Sequence, residues 1–516
     1  MGLLRKFFLS VTMYRLMQIF LLSLITLASV LSLLGVLPYQ WFQIPLAALA
    51  LAALCVVFNR LLSRIFRTSG HDDSAIITGL ILALIFGPLE VASQAHIAVV
   101  LAGIAMASKY ILAFKHRHFF NPAALTAVIA WPIIGESASW WIGSWHFAPL
   151  VALGGSLVTH KTGRQVMVVA LLGTIITSSA VKSFFGSGEI GDLDQIINPL
   201  IHSPILFFAT VMLLEPVTSP SNRRQQAVYA VIVGLVLSWL PSIISGFQQG
   251  FELALLTGNI YTRIVKKGIT MKLTLAHKKK LSENITSFIF EATDRLKFTP
   301  GQFLEWTLPH AKPDSRGQRR YFTISSSPTE SHIALTTKFA GETSSSFKKT
   351  LFDLELGQEI IAANLDGEFV LPNDAKSPLV FIAGGIGVTP YRSMIKWLLD
   401  TGNKRKITLL YSAKKESELI FRDLFSKAEK EIGLKTVYVL TDQTPTIASA
   451  RKGFIDQPMI TEEVPNWQQS LFYISGPEPM VEAFEKMLSK MGVPSSHIKR
   501  DFFLGYEETY QLKQGS

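Results

Sequence analysis

Ten apolar runs crowd the first 265 residues of this 516-residue chain, and they restrict its fold more than any other feature. They lie near residues 16–36, 41–58, 74–88, 92–114, 121–135, 147–158, 164–181, 198–214, 227–245 and 247–262. A helix needs ~20 apolar residues to cross the hydrocarbon of a bilayer, and most of these runs approach that length. The chain has a mean hydropathy of +0.32 with only 17% charged residues, a balance foreign to an ordinary soluble protein. The expectation is a multi-span α-helical membrane domain of about ten helices over residues 1–265. The runs at 74–88, 121–135 and 147–158 are short or broken by glycine and proline. Such breaks are tolerated at membrane depth only where protein surrounds them or where they line a site.

Lysine and arginine collect in cytoplasmic loops, so their placement orients the spans. Arg5, Lys6 and Arg15 precede the first run, and Arg60, Arg64 and Arg67 follow the second. Lys115 and Arg117 follow the fourth, Lys161 and Arg164 the sixth, and Arg223 and Arg224 the eighth. The exit after the seventh carries Glu189, Asp192 and Asp194 against Lys182 alone. Both termini are therefore expected in the cytoplasm, with the chain in the cell membrane and the first run kept as an anchor. Basic residues outnumber acidic ones by 15 to 9 up to residue 265 and by 34 to 29 beyond it. The net +11 is thus shared between topology and a mildly basic second half, which gives no ground for nucleic-acid binding. A single cysteine, Cys55, excludes disulfides and cysteine-held zinc or iron–sulfur centres within the chain, and no metal site is expected.

From Lys266 the pattern changes to short alternating runs such as TSFIFEA, QFLEWTL and HIALTTKFA, which read as an antiparallel β-barrel over residues 266–375. From about Ser377, apolar strands such as PLVFIAGG, KITLLYSA and SLFYISG alternate with helical stretches, which reads as a doubly wound α/β domain over residues 376–516. Ligands of such a pair belong at the carboxyl ends of the parallel strands. Four short motifs fall at the expected places. Gly384, Gly385 and Gly387, with Thr389 and Pro390, follow one strand and open a helix, where free amides and the helix dipole favour a phosphate. Arg320, Tyr321, Phe322 and Thr323 set a cation, aromatic rings and a hydroxyl along one barrel strand. Residues 341–347, with Gly341, Ser344 and Ser345, offer amides and hydroxyls to a second pyrophosphate or form a serine-rich turn. Ser475, Gly476 and Pro477 end another strand.

In that order and spacing, these motifs resemble the ferredoxin–NADP reductase superfamily over residues 268–508. The resemblance implies FAD on the barrel and NAD(P)H on the α/β half. By position, Arg320 is implied to pair with FAD phosphate, Tyr321 to pack on the isoalloxazine, and Thr323 to bond near flavin N5. Gly341, Ser344 and Ser345 are implied for the FAD pyrophosphate, and Gly384, Gly385, Gly387, Thr389 and Pro390 for that of NAD(P)H. Gly476 and Pro477 are implied to lie against the nicotinamide. Ser475 stands where the family often has cysteine, and Thr323, Ser475 and Tyr506 are the residues implied at the hydride-transfer locus. The tail KRDFFLGY is similar to the family's aromatic flavin shield, through Phe503 or Tyr506, or serves as a docking tail. Ser412, Lys414 and Lys415 after the strand KITLLY lean towards a 2′-phosphate, hence NADPH, although lysines are common on exposed turns.

Three stretches of the first half, at residues 71–88, 120–125 and 213–224, resemble the Rnf complex D subunit and the sodium-pumping NADH:quinone reductase B subunit. In that family FMN is esterified to a threonine in a motif like LLEPVTSPSNRR. Laid on it, Glu215 stands for the acid, Thr218 for the first hydroxyl and Ser221 for the acceptor. Pro220 departs from the family's alanine, and the charge pattern places this loop in the cytoplasm, where flavin attachment is not usual. Covalent FMN at Ser221, non-covalent flavin or quinone near the loop, and a structural turn capped by Asn222 all stay open.

Among intramembrane polar groups, Asp72 and Asp73 read either as a proton or cation site or as solvated helix-end acids; Lys109 falls within the fourth run, and His96 and His202 read as packing residues. The leading expectation is a membrane-bound oxidoreductase passing electrons from NAD(P)H through FAD to a membrane flavin, quinone or other carrier, in some cases with further electron-transfer subunits. A haem-bearing reductase of the ferric reductase or NADPH oxidase type is the alternative, since His146 and His160 have a tempting spacing, but no second pair matches it. A redox-sensing transporter is a third.

Overall fold

A computed structural model of the chain describes residues 11–66, 70–114, 117–187, 204–220, 222–243, 249–265, 270–292, 294–310, 313–314, 317–447 and 450–503. The chain divides into two compact units, Val11–Lys267 and Gly268–Ser516.

The first unit is helical. Its described helices are α1 (Met13–Leu33), α2 (Gln43–Ile65), α3 (Asp72–Phe86), α4 (Val91–Ile111), α5 (Pro122–Ile134), α6 (Ala148–Thr162), α7 (Gln165–Ser187), α8 (Arg223–Ile243) and α9 (Gly250–Val265). A two-residue hairpin, β1 (Ala113–Phe114) with β2 (Arg117–His118), joins α4 to α5. Ahead of α8, Ile205–Phe207 runs into a π-helical turn, Phe208–Met212, closed by Leu213 N–H to Phe208 C=O at 2.9 Å.

The expectation of about ten membrane helices is met in part. Among the described residues, five helices are long and apolar enough to cross a membrane: Met13–Leu33, Gln43–Ile65, Ser93–Ile111, Gln165–Phe185 and Arg223–Ile243. The other runs form shorter helices, and glycine ends three of them. Gly87, Gly135 and Gly163 cap α3, α5 and α6 with φ of +102°, +71° and +67°, a backbone region that side-chain-bearing residues avoid. Of these short helices, α3 is packed inside. Every residue of α3 from Thr78 to Leu84 is buried, as a helix apolar on all sides must be. Small residues permit the close approach: a Cβ on Gly79 would lie 2.6 Å from the Ala52 backbone of α2, and one on Gly258 2.5 Å from Val233 of α8.

In the second unit, β3 (Thr270–Lys280), β4 (Ile285–Ala292), β5 (Phe303–Thr307), β6 (Arg319–Thr323), β7 (Ile333–Lys338) and β8 (Glu359–Asp366) form one antiparallel sheet of order β6-β5-β8-β3-β4-β7. It curls around Leu273, Phe288, Phe290, Leu304, Trp306 and Leu335, the inward residues of alternating strands. Helix α10 (Ser346–Asp353) plugs this core with Phe347 and Leu351. A second sheet, entirely parallel, follows: β9 (Leu379–Gly384), β10 (Ile407–Ala413), β11 (Lys435–Leu440), β12 (Ala450–Lys452), β13 (Leu471–Pro477) and β14 (Ile498–Phe503), in the order β12-β11-β10-β9-β13-β14. Helices α11 (Thr389–Thr401), α12 (Arg422–Ile432), α13 (Gln457–Glu463) and α14 (Glu478–Lys490) connect the strands, and separate cores on the two faces show that helices cover both. The strand order reverses between β9 and β13, where a doubly wound sheet opens its ligand crevice.

Candidate functional site

At that reversal two chain turns meet backbone to backbone. Strand β9 ends at Gly384, Gly385 takes φ +54°, and a single 3-10 turn leads into α11 with Pro390 in its first turn. A Cβ on Gly387 would lie 2.2 Å from the Ser475 carbonyl oxygen, and one on Gly384 would lie 2.1 Å from the Met480 sulfur. A Cβ on Gly476 would come within 3.1 Å of the same sulfur and 3.3 Å of Gly384. Glycine is thus required by contact, and the amides beyond it face a helix N-terminus, the arrangement that suits a pyrophosphate. Tyr391 staples the two strands: its hydroxyl donates to Tyr473 C=O at 2.7 Å or Ile382 C=O at 3.1 Å. Thr389 and Pro390 are buried at the start of α11. Ser412, half-buried at the end of β10, pairs in register with Gly384, and Lys414 lies just beyond it.

Ser475 is fully buried and its hydroxyl has no hydrogen-bond partner. Across the β13–β14 register it pairs with Asp501, whose carboxyl is pushed up to about 7 by desolvation. The tail was read for its aromatics, and Asp501 and Met480 were passed over; no spacing marks either. Phe503 ends β14, and Tyr506 lies outside the described residues.

On the barrel, β6 alternates as expected. Phe322 packs on Phe347 in the core, while Tyr321 on the other face is 58% exposed and meets Phe303 edge-on at 5.5 Å, leaving a ring face for a planar ligand. Thr323 is buried beside it. Arg320 is held by Asp314 in a two-pronged pair at 2.6 and 2.8 Å, and its guanidinium lies 5.7 Å from the Phe347 ring. In residues 341–345 the hydroxyls serve local structure. Gly341 takes φ +61°, Ser344 Oγ accepts the Ala340 amide at 2.8 Å, and Ser345 Oγ caps α10 from Lys348 N–H at 3.4 Å. What remains to offer a ligand is the amide end of α10, where Ser346 N–H donates to the Asp314 carboxylate at 3.2 Å. An anionic group already sits between Arg320 and that amide, so the residues fit a phosphate-bearing flavin.

Charged contacts that the motifs did not announce join barrel to α/β half. Arg392 of α11 grips Glu330 with both guanidinium nitrogens and donates to Ser325 C=O at 3.0 Å. Burial works against the Glu330 charge, but Arg392 outweighs it and holds the carboxyl below its ordinary range. Ser393 Oγ donates to Ser326 C=O at 2.6 Å, and Lys338 pairs with Glu418 at 2.6 Å.

In the helical unit, the turn after the π-helix is a built network rather than an open loop. Glu215 accepts from Asn121 at 2.9 Å and Thr218 at 3.0 Å, and meets His118 Nε2 at 3.1 Å. Arg164 donates to Ser219 Oγ and to Pro220 C=O. Thr218, which stands for the first hydroxyl of the motif, is buried and donates to Glu215 at 3.0 Å. Ser221 lies outside the described residues. Asn222 caps α8 as expected, accepting from Arg224 N–H at 2.9 Å. Asp72 pairs with Arg60 at 2.7 Å and Asp73 accepts from Gln18 at 3.0 Å, so the two acids serve different partners. His96 is exposed rather than packed, His202 lies outside the described residues, and His146 precedes the helix that carries His160.

Residues 381–486 match a family described as the oxidoreductase NAD-binding domain. Among curated proteins, the chain is 27% identical over 224 residues to the stachydrine N-demethylase reductase subunit of Rhizobium meliloti, covering 43% of this chain and 63% of that protein. It is 28% identical over 238 residues to a flavohemoprotein of Bacillus subtilis, covering 44% and 58%. It is 37% identical over 158 residues to human oxidoreductase NAD-binding domain-containing protein 1, covering 27% and 50%. The chain thus spans half to three fifths of these relatives. Among solved structures, a cytochrome P450 reductase of Amycolatopsis aligns at a TM-score of 0.41 with 23% identity, over 46% of this chain and 71% of that one.

Proposed function

We propose that the chain is a membrane-bound flavoprotein reductase that takes hydride from NAD(P)H onto FAD and passes electrons to a quinone, a second flavin or another carrier. One observation carries the reading: the glycine turn after β9 and the Ser475–Gly476 end of β13 are packed together at the strand-order reversal, in the same unit as a barrel that exposes Tyr321 beside Arg320. The family match over residues 381–486 and the reductase relatives support it. Gly384, Gly385, Gly387 and the α11 amides receive the NAD(P)H pyrophosphate; Gly476 and Pro477 leave room for the nicotinamide; Arg320 and the Ser346 amide take flavin phosphate; Tyr321 stacks the ring system. Bound FAD would supply hydride acceptance and stepwise electron release. The residues contribute position rather than acid–base chemistry. Ser412 and Lys414 favour a 2′-phosphate and hence NADPH.

The membrane assignment rests on the five long apolar helices, and flavin attachment at Ser221 rests on motif resemblance alone. The test is to purify the protein from membranes and record its visible spectrum before and after NADPH or NADH. A flavin spectrum bleached by the nucleotide, with FAD released by acid, is expected. A Soret band, or a protein without flavin, would sink the reading.

A further inference from the structure

The barrel carries an anion of its own where flavin phosphate belongs. Asp314, ahead of β6, takes the Arg320 guanidinium at 2.6 and 2.8 Å, and the same carboxylate accepts the Ser346 amide that opens α10 at 3.2 Å. The grip is mutual, because the Asp314 amide donates to Ser346 Oγ at 2.9 Å. His310 Nε2 reaches that hydroxyl at 3.0 Å, and Gln318 fixes the His310 carbonyl at 2.7 Å. The Arg320 side chain is 12% exposed and that of Asp314 is 27% exposed, so water screens the pair only in part. One guanidinium nitrogen, which meets both carboxylate oxygens, and a helix-terminal amide converge on one point, and such donors suit a phosphate. Two anions cannot share them, since like charges at contact repel in so poorly solvated a place.

Resting on the reading of this chain as an FAD reductase, we propose that Asp314 is an internal competitor of the FAD pyrophosphate. In the flavin-free protein its carboxylate fills the cradle, satisfies Arg320 and supplies the negative charge that the α10 dipole favours. FAD enters only as Asp314 swings off Arg320, so every binding event includes the loss of this pair. Asp314 therefore weakens the hold on FAD. A ligand with the same ring system and no phosphate does not meet this competition.

The test uses the full chain in detergent, stripped of flavin, titrated with FAD and separately with riboflavin by fluorescence quenching. Asp314→Asn removes the charge while its amide oxygen still accepts from Ser346. The expected result is an FAD dissociation constant lowered about tenfold, the size of one charge-assisted contact, with riboflavin binding unchanged. An unchanged or weaker FAD affinity would overturn the proposal and make Asp314 an orienting partner of Arg320. Equal tightening of both ligands would also overturn it, because the effect would not pass through phosphate. Should Asp314→Asn lower the melting temperature enough to confuse binding with folding, Asp314→Ser decides: it too removes the carboxylate, and an FAD affinity there no tighter than in the wild type refutes the competition. Wild-type protein that binds neither ligand would refute the reductase reading itself, whereas FAD binding indifferent to Asp314→Asn refutes only the competition.

Discussion

Arg392 and Glu330 show what a single pair does at the junction of the two halves of the second unit. Both side chains are mostly buried, at 17% and 14% exposure, and both terminal guanidinium nitrogens donate to acceptors. Removing Arg392 leaves a buried carboxylate without its cation, so Arg392→Ala should lower stability by about 2 to 3 kcal/mol, measured by denaturant unfolding with Glu330→Gln as the comparison. The sign of the pH effect follows from the depressed Glu330 carboxyl. Its contribution is complete above the ordinary value of 4.5 and is lost as pH falls below it, so the wild type should shed more stability than Glu330→Gln between neutral and acid pH. Asp501 works the other way. With its carboxyl raised to about 7 in the folded chain, the folded state binds the extra proton, and stability declines as pH rises from the ordinary 3.8 through 7. Asp501→Asn should remove that slope, and it should also remove any inflection near pH 7 in the rate at which NAD(P)H reduces the flavin. Retention of both in the variant would show that another group titrates there.

At the scale of elements, the close approach of the β9 turn to the end of β13 is the most constrained junction in the second unit. Gly387→Ala sets a methyl 2.2 Å from a backbone carbonyl that cannot rotate away, so one of the two turns must move. Flavin should remain on the barrel while flavin reduction by NAD(P)H falls by more than about a hundredfold, the scale of a one-ångström misplacement, which stopped-flow absorbance checks. Gly476→Ala meets the flexible end of Met480 first and should cost much less. These glycines were legible in the sequence because only glycine suits such contacts. The Arg392–Glu330 and Ser475–Asp501 pairings were not legible, because each joins residues that only the tertiary fold makes neighbours, and the local Asp314–Arg320 pair, six residues apart, carries no spacing that marks it. Five of the runs form helices long enough to cross unaided, and the glycines at Gly87, Gly135 and Gly163 end three of the others early, at the runs whose shortness the sequence already displayed. The network at the Glu215 turn was not legible, because His118, Asn121 and Arg164 come from distant segments.

For the whole molecule, the difference between five crossings and ten is one of parity, and parity decides where the reductase unit works. If only the five long helices crossed, a chain starting in the cytoplasm would finish outside, away from cellular NAD(P)H. Arg164 and Lys161, just ahead of Gln165–Phe185, would also lie outside, against the rule that keeps basic loops within. If the short helices α3, α5, α6 and α9 and the π-helical segment cross as well, the count is even and both conflicts vanish. Short helices can do so when protein rather than lipid surrounds them, and the continuous burial of α3 meets that condition. Reporter fusions separate the two arrangements. A green fluorescent protein fused after Ser516 should fluoresce and alkaline phosphatase there should be inactive, whereas phosphatase inserted near residue 140 should be active and near residue 163 inactive. Active phosphatase at the C-terminus would mean an odd number of crossings, and a cytoplasmic NAD(P)H reductase would no longer be tenable.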